Sequence, residues 1–182
     1  MGMVTRRALF VHAGAAATLV TLRPAAAHAA ASRNPAAQRL ALLNTHTGER
    51  LDLVVRADGV PVAEAMPHID RLLRDHRNDT THRIDKGVID QLLALRDALE
   101  LTASFHVISG YRSPATNAKL ATAGNGVARD SLHLTGRAID IRVPGLALTR
   151  LHAAALALKA GGVGFYARSE FVHLDTGRVR SW

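Results

Sequence analysis

The chain contains no cysteine among its 182 residues. Disulfides and thiolate metal sites are therefore excluded, so any bound metal must be held by histidine and carboxylate side chains. Aromatic residues make up only 4% of the chain, which leaves the core to leucine, valine, isoleucine and alanine. No apolar run reaches the roughly 20 residues that a membrane-spanning helix needs. A hydrophobic content of 48% and a charged content of 21% are those of an ordinary globular protein.

The charge is unbalanced towards the positive side. The net charge is +8, and three of the arginines fall in an N-terminal leader, which leaves about +5 for the remainder. A positive field favours anionic partners, such as nucleic acid or a carboxylate-rich cell wall. The basic residues are scattered without interleaved aromatic residues, and no nucleic-acid-binding motif is present. We therefore expect no nucleic acid partner.

Residues 1–29 have the three parts of an export signal. The pair Arg6-Arg7 precedes an apolar stretch at 9–22 that is too short to anchor the chain in a membrane, and small residues of the A-x-A type follow. Paired arginines resemble a twin-arginine signal, which exports proteins already folded. We expect cleavage after Ala29, with Ala27 as the alternative, and a protein of the periplasm or cell envelope.

The rest of the chain is predicted to be a flexible terminus at 30–37 followed by one α+β domain at 38–182. Two apolar stretches around a polar turn at 44–49 predict a hairpin. Alternating patterns predict further strands at 105–109, 137–143, 163–166 and 171–175, and apolar periodicity with capping residues predicts helices at 69–76, 85–99, 113–126 and 148–159. We predict an antiparallel sheet that carries the functional site, with helices packed on it.

Three polar residues form a candidate metal site in this domain. A catalytic zinc ion needs three nitrogen or oxygen ligands and an open fourth position, and His133, Asp140 and His173 supply such a set. Strand alternation turns Asp140 away from the apolar face of 137–143, and His173 away from the apolar face of 171–175. Spacing alone leaves a purely structural role open, because an isolated His or Asp near a strand is commonly structural or solvated.

Three stretches carry a resemblance to a known family: 109–117, which begins Ser-Gly-Tyr-Arg-Ser-Pro, 131–140, which contains Ser-Leu-His, and 170–177, which contains Glu-Phe-Val-His-Leu-Asp. They resemble the zinc peptidase superfamily of D-Ala-D-Ala carboxypeptidases and dipeptidases, and more closely the exported MepK-type murein endopeptidases. The resemblance covers roughly residues 38–182. It implies one zinc ion per chain on the candidate ligands and a peptidoglycan substrate. We expect a monomer without a membrane span after signal cleavage.

The same resemblance implies roles for residues around the metal. It gives Glu170 the role of general base, and Arg112 that of the cation that stabilises charge on the carbonyl oxygen. Strand parity disagrees about the base, because residues three apart in a strand point to opposite faces, so Asp175 is the better neighbour of His173. We expect Glu170 to act from the loop before the strand, and Asp175 to orient a ligand.

Other polar and aromatic residues are expected to have lesser roles, and two alternative functions remain open. Ser131 is expected to contact substrate or to support its turn, and Tyr111 to form a wall of the cleft. His46 and the other remaining histidines are expected to be surface or packing residues. The alternatives to an endopeptidase are a D,D- or L,D-carboxypeptidase acting on stem peptides, and a non-catalytic zinc-bearing cell-wall-binding module like the Hedgehog signalling domains, which resemble this site. Glu170 and Arg112, together with the export signal, favour catalysis.

Overall fold

The computed structural model describes residues 1–2, 37–123 and 128–182. The predicted export signal therefore lies outside the described residues apart from its first two, and so do residues 30–36 of the predicted flexible terminus. The described domain begins directly in a strand at Ala37, one residue before the predicted boundary. Within the described ranges, no helix is both long enough and apolar enough to cross a membrane.

The strands of the described residues join into one mixed sheet. They are β1 (Ala37–Asn44), β2 (Arg50–Ala57), β3 (Val60–Pro61), β4 (Phe105–Ser109), β5 (Ala138–Arg142), β6 (Gly162–Tyr166), β7 (Phe171–Asp175) and β8 (Arg180–Ser181). Their order is β3-β2-β1-β4-β5-β7-β6-β8. The later strands β4, β5, β7 and β6 pair antiparallel as predicted. The parallel pairs β1·β4 and β6·β8 were not predicted, and β1·β4 arises because the chain crosses over through two helices between the two strands.

Four α-helices accompany the sheet in the described residues: α1 (Ala65–Leu72), α2 (Lys86–Ala98), α3 (Pro114–Thr122) and α4 (Leu148–Leu158). The predicted caps of two helices are confirmed. Asp85 accepts a hydrogen bond from the backbone N–H of Gly87 at 2.7 Å before α2, and Ser113 accepts one from Thr116 at 3.3 Å before α3.

The predicted extension of the first helix to His76 is wrong. Helix α1 ends at Leu72, and the next residues leave the helix to bind neighbouring loops. The carbonyl of Leu73 accepts the N–H of Tyr111 at 2.7 Å, and the N–H of Asp75 donates to Thr80 at 2.9 Å. These tertiary hydrogen bonds replace the next helical turn, which apolar periodicity could not reveal.

The core lies between the sheet and the helices, and it fixes the register of the site. In β5, Ile139 and Ile141 are 0% exposed, and in β7 Val172 and Leu174 are at most 1% exposed. Burying each side chain contributes about 1.5–3 kcal/mol, and a slip of one residue would turn all four away from the core. The register that the core selects aligns the intervening positions of the two strands on the opposite face.

Candidate active site

Three elements bring the candidate metal ligands together. Strands β5 and β7 place Asp140 directly opposite His173 in their antiparallel register. His133 lies in a 3-10 turn (Leu132–Thr135) that ends at Gly136, whose φ is 66°. A side chain on Gly136 would also collide with the backbone oxygen of Arg83, so both the conformation and the space require glycine. The turn therefore delivers His133 to the polar face of the sheet.

The donor atoms of the three side chains face one another. Asp140 Oδ1 lies 2.8 Å from His173 Nδ1 and 3.3 Å from His133 Nε2, and these two ring nitrogens lie 3.3 Å apart. All three residues are buried, and their donor atoms fall within 4.8 Å of one another. Two imidazoles and one carboxylate are a donor set that catalytic zinc sites use. The arrangement fits a zinc ion in the number and type of its ligands.

The outer nitrogen of each imidazole faces a hydrogen-bond acceptor. His133 Nδ1 lies 2.6 Å from the carbonyl oxygen of Gly110, which can only accept, so the proton sits on Nδ1 and the Nε2 lone pair faces the cluster. His173 Nε2 lies 3.1 Å from the carboxylate of Asp175, which holds the proton on Nε2 and leaves Nδ1 facing the cluster. Each ring thus turns its other nitrogen towards the cluster, where it can bind a metal ion once it carries no proton.

Asp175 is fully buried and both of its carboxylate oxygens are engaged. Oδ2 accepts from His173 at 3.1 Å and from Arg180 at 2.7 Å. Oδ1 accepts from the backbone N–H groups of Gly162 at 3.0 Å and Gly177 at 2.8 Å, and from Arg180 at 3.1 Å. Burial alone would raise the pKa of Asp175, but the hydrogen bonds from His173 and Arg180 outweigh it and hold the pKa well below its usual range. Asp175 is therefore a fixed carboxylate.

Burial and hydrogen bonding also act in opposite directions on the pKa values of Asp140 and His173. Burial would raise the pKa of Asp140, but the charges and hydrogen bonds of His133 and His173 hold it well below its usual range. Burial would lower the pKa of His173, but its hydrogen bonds to Asp140 and Asp175 raise it. Ionised carboxylates therefore surround the imidazole donors, which is the electrostatic setting that a divalent cation favours.

Arg112 is the cation next to this cluster. It is 7% exposed, and its Nη2 lies 3.7 Å from Asp140 Oδ2. Asn117 accepts a hydrogen bond from Nη1 at 3.2 Å, while the buried Nε has no hydrogen-bond partner among the described residues. Burial lowers the pKa of Arg112 and Asp140 opposes that shift, and a guanidinium stays charged in either case. A fixed positive charge thus stands beside the candidate ligands.

A cleft of about 520 Å³ opens over the cluster. Its wall contains the three candidate ligands, Arg112, Ser131 and Asp175, together with residues that the sequence analysis did not assign to a site. These additional wall residues include Arg77, Asp130, Tyr166, Phe171, Arg180 and Trp182, and also His46, which was expected to be only a surface or packing residue. They come from turns, irregular segments and strand ends, where the sequence offers no periodic signal.

The other expected site residues occupy different places. Ser131 lines the cleft, and its hydroxyl accepts the N–H of His133 at 3.4 Å, so it has a position for both expected roles. Tyr111 is 7% exposed, stacks on His82 with ring centroids 4.7 Å apart, and is not among the described residues of the cleft wall. Tyr111 is therefore a buried packing residue in the structure.

Glu170 lies at the rim. Its side chain is 77% exposed, and its carboxylate is 3.6 Å from Nη1 of Arg142. The residues on either side, Ser169 and Phe171, belong to the described cleft wall, but Glu170 does not. The structure therefore brings Arg112, Asp175 and Ser131 to the cluster and leaves Glu170 at the entrance.

Comparison with known proteins agrees with this geometry. Residues 32–182 match the family model described as peptidoglycan L,D-endopeptidase MepK. The chain belongs to this family. It is 39% identical over 182 residues to the peptidoglycan L,D-endopeptidase MepK of Escherichia coli (strain K12), covering 100% of this chain and 93% of that relative. It is 39% identical over 150 residues to the probable peptidoglycan L,D-endopeptidase MepK of Haemophilus influenzae, covering 81% of this chain and 80% of the relative. The family expected from the motifs is confirmed.

Proposed function

We propose that the protein is a zinc-dependent endopeptidase that hydrolyses peptide cross-links in peptidoglycan. The observation that carries the proposal is the cluster of His133, Asp140 and His173 in the wall of a cleft, whose imidazoles each face a hydrogen-bond acceptor with the outer nitrogen. The relatives are named as L,D-endopeptidases of peptidoglycan, which supports both the substrate and the bond type. The same names favour an endopeptidase over the carboxypeptidase and binding-module alternatives.

The zinc ion would be held by His133 Nε2, Asp140 Oδ1 and His173 Nδ1. When bound, it supplies Lewis acidity that polarises a peptide carbonyl and lowers the pKa of a water molecule. The protein keeps these donor atoms available through the carbonyl of Gly110 and the carboxylate of Asp175, which hold the imidazole protons on the outer nitrogens.

We propose that Arg112 stabilises the negative charge that develops on the carbonyl oxygen during hydrolysis. Its guanidinium is buried beside Asp140 and held by Asn117, so it does not need to reorganise as the charge appears.

We propose Glu170 as the general base that takes a proton from the attacking water and delivers it to the leaving amine. Asp175 is poorly suited to this task, because five donors already occupy its two oxygens. The contact of Glu170 with Arg142 is solvent-exposed, and such ion pairs hold a side chain only weakly. Glu170 is therefore free to move from the rim of the cleft.

The decisive experiment incubates the zinc-loaded protein with purified peptidoglycan and identifies the released muropeptides by mass spectrometry. Cleavage of cross-links should convert dimeric muropeptides into monomers. His173→Ala, which removes one ligand, should lose both the zinc and this conversion. Release of single amino acids without loss of dimers would instead favour a carboxypeptidase, and binding without cleavage would favour a binding module.

We also propose that residues 1–29 direct export by the twin-arginine route, and that residues 38–182 work as a monomeric peptidase domain in the periplasm or cell envelope. The pair Arg6-Arg7 supports this route. Exchanging both arginines for lysine should remove the protein from the periplasmic fraction, and mature protein should begin at Ala30. Normal export of the double variant would favour the general secretory route instead.

A further inference from the structure

Arg77 is an exposed cation in the wall of the cleft without an ion pair in the described part of the chain. The two other arginines of the wall face carboxylates. Arg112 lies 3.7 Å from Asp140, and Arg180 donates to Asp175 at 2.7 Å and 3.1 Å. Asp130 also belongs to the wall, but it is not within ion-pair distance of Arg77. Arg77 thus offers the cleft a positive charge that no described side chain neutralises.

The backbone at Arg77 is held in place by a buried carboxylate. Asp75 is 1% exposed, and its Oδ1 accepts the backbone N–H of Arg77 at 3.1 Å. Its Oδ2 accepts the backbone N–H of Ser113, the residue after Arg112, at 2.9 Å. One carboxylate therefore holds the backbone at Arg77 and directly after Arg112, and both arginines line the cleft.

Both arginines line the same cleft. Two guanidinium groups that face one cleft repel each other, and an anion bound beside them relieves this repulsion. Guanidinium groups bind carboxylates through paired, charge-assisted hydrogen bonds.

We propose that Arg77 binds a free carboxylate on the carbon attached to the nitrogen of the cleaved bond. This inference rests on the proposed function. When a cross-link runs through the side-chain amine of a diamino-dicarboxylic acid, the carbon that bears this amine also carries a carboxylate outside any peptide bond. A residue within an ordinary peptide has an amide at the same place. Arg77 would therefore select cross-links with the free acid and disfavour those in which it is amidated.

The test compares two dimeric muropeptides that differ only in whether this carboxylate is free or amidated. Arg77→Gln should raise KM for the free acid by roughly 10- to 100-fold with kcat nearly unchanged, because the lost charge-assisted hydrogen bond is made to a carboxylate whose charge stays the same from bound substrate to transition state. KM for the amidated dimer should change by less than about 3-fold, since that substrate never makes the contact. Arg50→Gln, which removes an exposed arginine at the start of β2 outside the described cleft wall, is the matched control and should behave as wild type.

A binding measurement separates this inference from the proposed function. Calorimetry with the zinc-loaded protein and monomeric muropeptide, the product of cross-link cleavage, needs no turnover. The wild type should bind the free acid at least about 10-fold more tightly than the amidated form, and Arg77→Gln should abolish that preference. If the protein binds the free acid more tightly but cleaves neither dimer, the proposed endopeptidase function is overturned and the carboxylate site is supported. If it cleaves the dimers but binds both ligands equally well, the carboxylate site alone is overturned. The same conclusion follows if Arg77→Gln weakens the binding of both ligands equally.

Discussion

Exchange of Asp175 for Asn gives the sharpest test of how the site selects its metal-binding atoms. The Asn oxygen can keep the hydrogen bonds from Gly162 and Gly177. Its NH2 group then replaces Oδ2 and points a donor at His173 Nε2, where the carboxylate now accepts at 3.1 Å. An NH2 group cannot accept a hydrogen bond, so Nε2 must become the acceptor and the ring proton must move to Nδ1.

The moved proton occupies the nitrogen that should bind zinc. Asp140 Oδ1 lies 2.8 Å from His173 Nδ1 and would accept a hydrogen bond from it, which stabilises the wrong tautomer further. Loss of such an outer hydrogen bond costs roughly 10- to 100-fold in metal affinity. This corresponds to about 1.4–2.8 kcal/mol at 1.36 kcal/mol for each factor of ten.

Competition for zinc with a chromophoric chelator measures the loss, with all variants compared at the same pH of about 8. Arg180→Gln is the matched control, because it removes the hydrogen bonds at 2.7 Å and 3.1 Å from Asp175 while leaving the carboxylate opposite His173. It should bind zinc within about 3-fold of wild type, although its stability falls by roughly 1–3 kcal/mol. Wild-type zinc affinity in Asp175→Asn, or equal loss in both variants, would refute the assignment of the effect to the position of the proton.

Three further predictions concern the base, the close packing under the site and the pH dependence of folding. Glu170→Gln should keep zinc and lose on the order of 100- to 10,000-fold in turnover, whereas Asp130→Asn should stay near wild type; the reverse result would move the base to Asp130. Gly110→Ala should lower the unfolding free energy by about 1–3 kcal/mol in denaturant titrations, because the added methyl would collide with the backbone oxygen of Leu73, and an unchanged midpoint would contradict this. Burial lowers the pKa of His76 to about 4, so this group costs no stability above pH 6.5, and the stability falls between pH 6.5 and 4 because only the unfolded chain takes up the proton there. His76→Gln should make unfolding less pH-dependent in that window, by about 1 kcal/mol after allowance for the partly exposed ring, and identical pH profiles would exclude the effect.

Strand parity predicted much of the geometry because two buried strands carry the central residues. The alternation of Ile139 and Ile141 around Asp140 fixes which face that carboxylate occupies, and the same logic placed His173 and Asp175 side by side. The structure has these two side chains in contact at 3.1 Å. Strand alternation also predicts that Glu170 lies apart from His173 and Asp175. The family motif alone does not predict this separation.

Other parts of the cleft had no sequence signal of this kind. Arg77 and Asp130 come from irregular segments, whose paths depend on tertiary hydrogen bonds such as those of Asp75. Trp182 reaches the wall only because β8 pairs with β6, and a strand of two residues is too short to show alternation. In all three cases the position follows from contacts between segments that are distant in sequence.

The glycines around Asp175 show how the fold and the metal site depend on each other. Gly161 and Gly162 follow helix α4, but the left-handed residue at that helix end is Lys159, with φ 50°. A side chain on Gly161 would collide with the backbone oxygen of Asp175, and one on Gly162 would collide with its carboxylate. A Cβ on Gly177 would lie 2.9 Å from the other carboxylate oxygen. Because the N–H groups of Gly162 and Gly177 must come close enough to donate to this buried carboxylate, these positions exclude side chains, and His173 keeps its Nδ1 available for the metal.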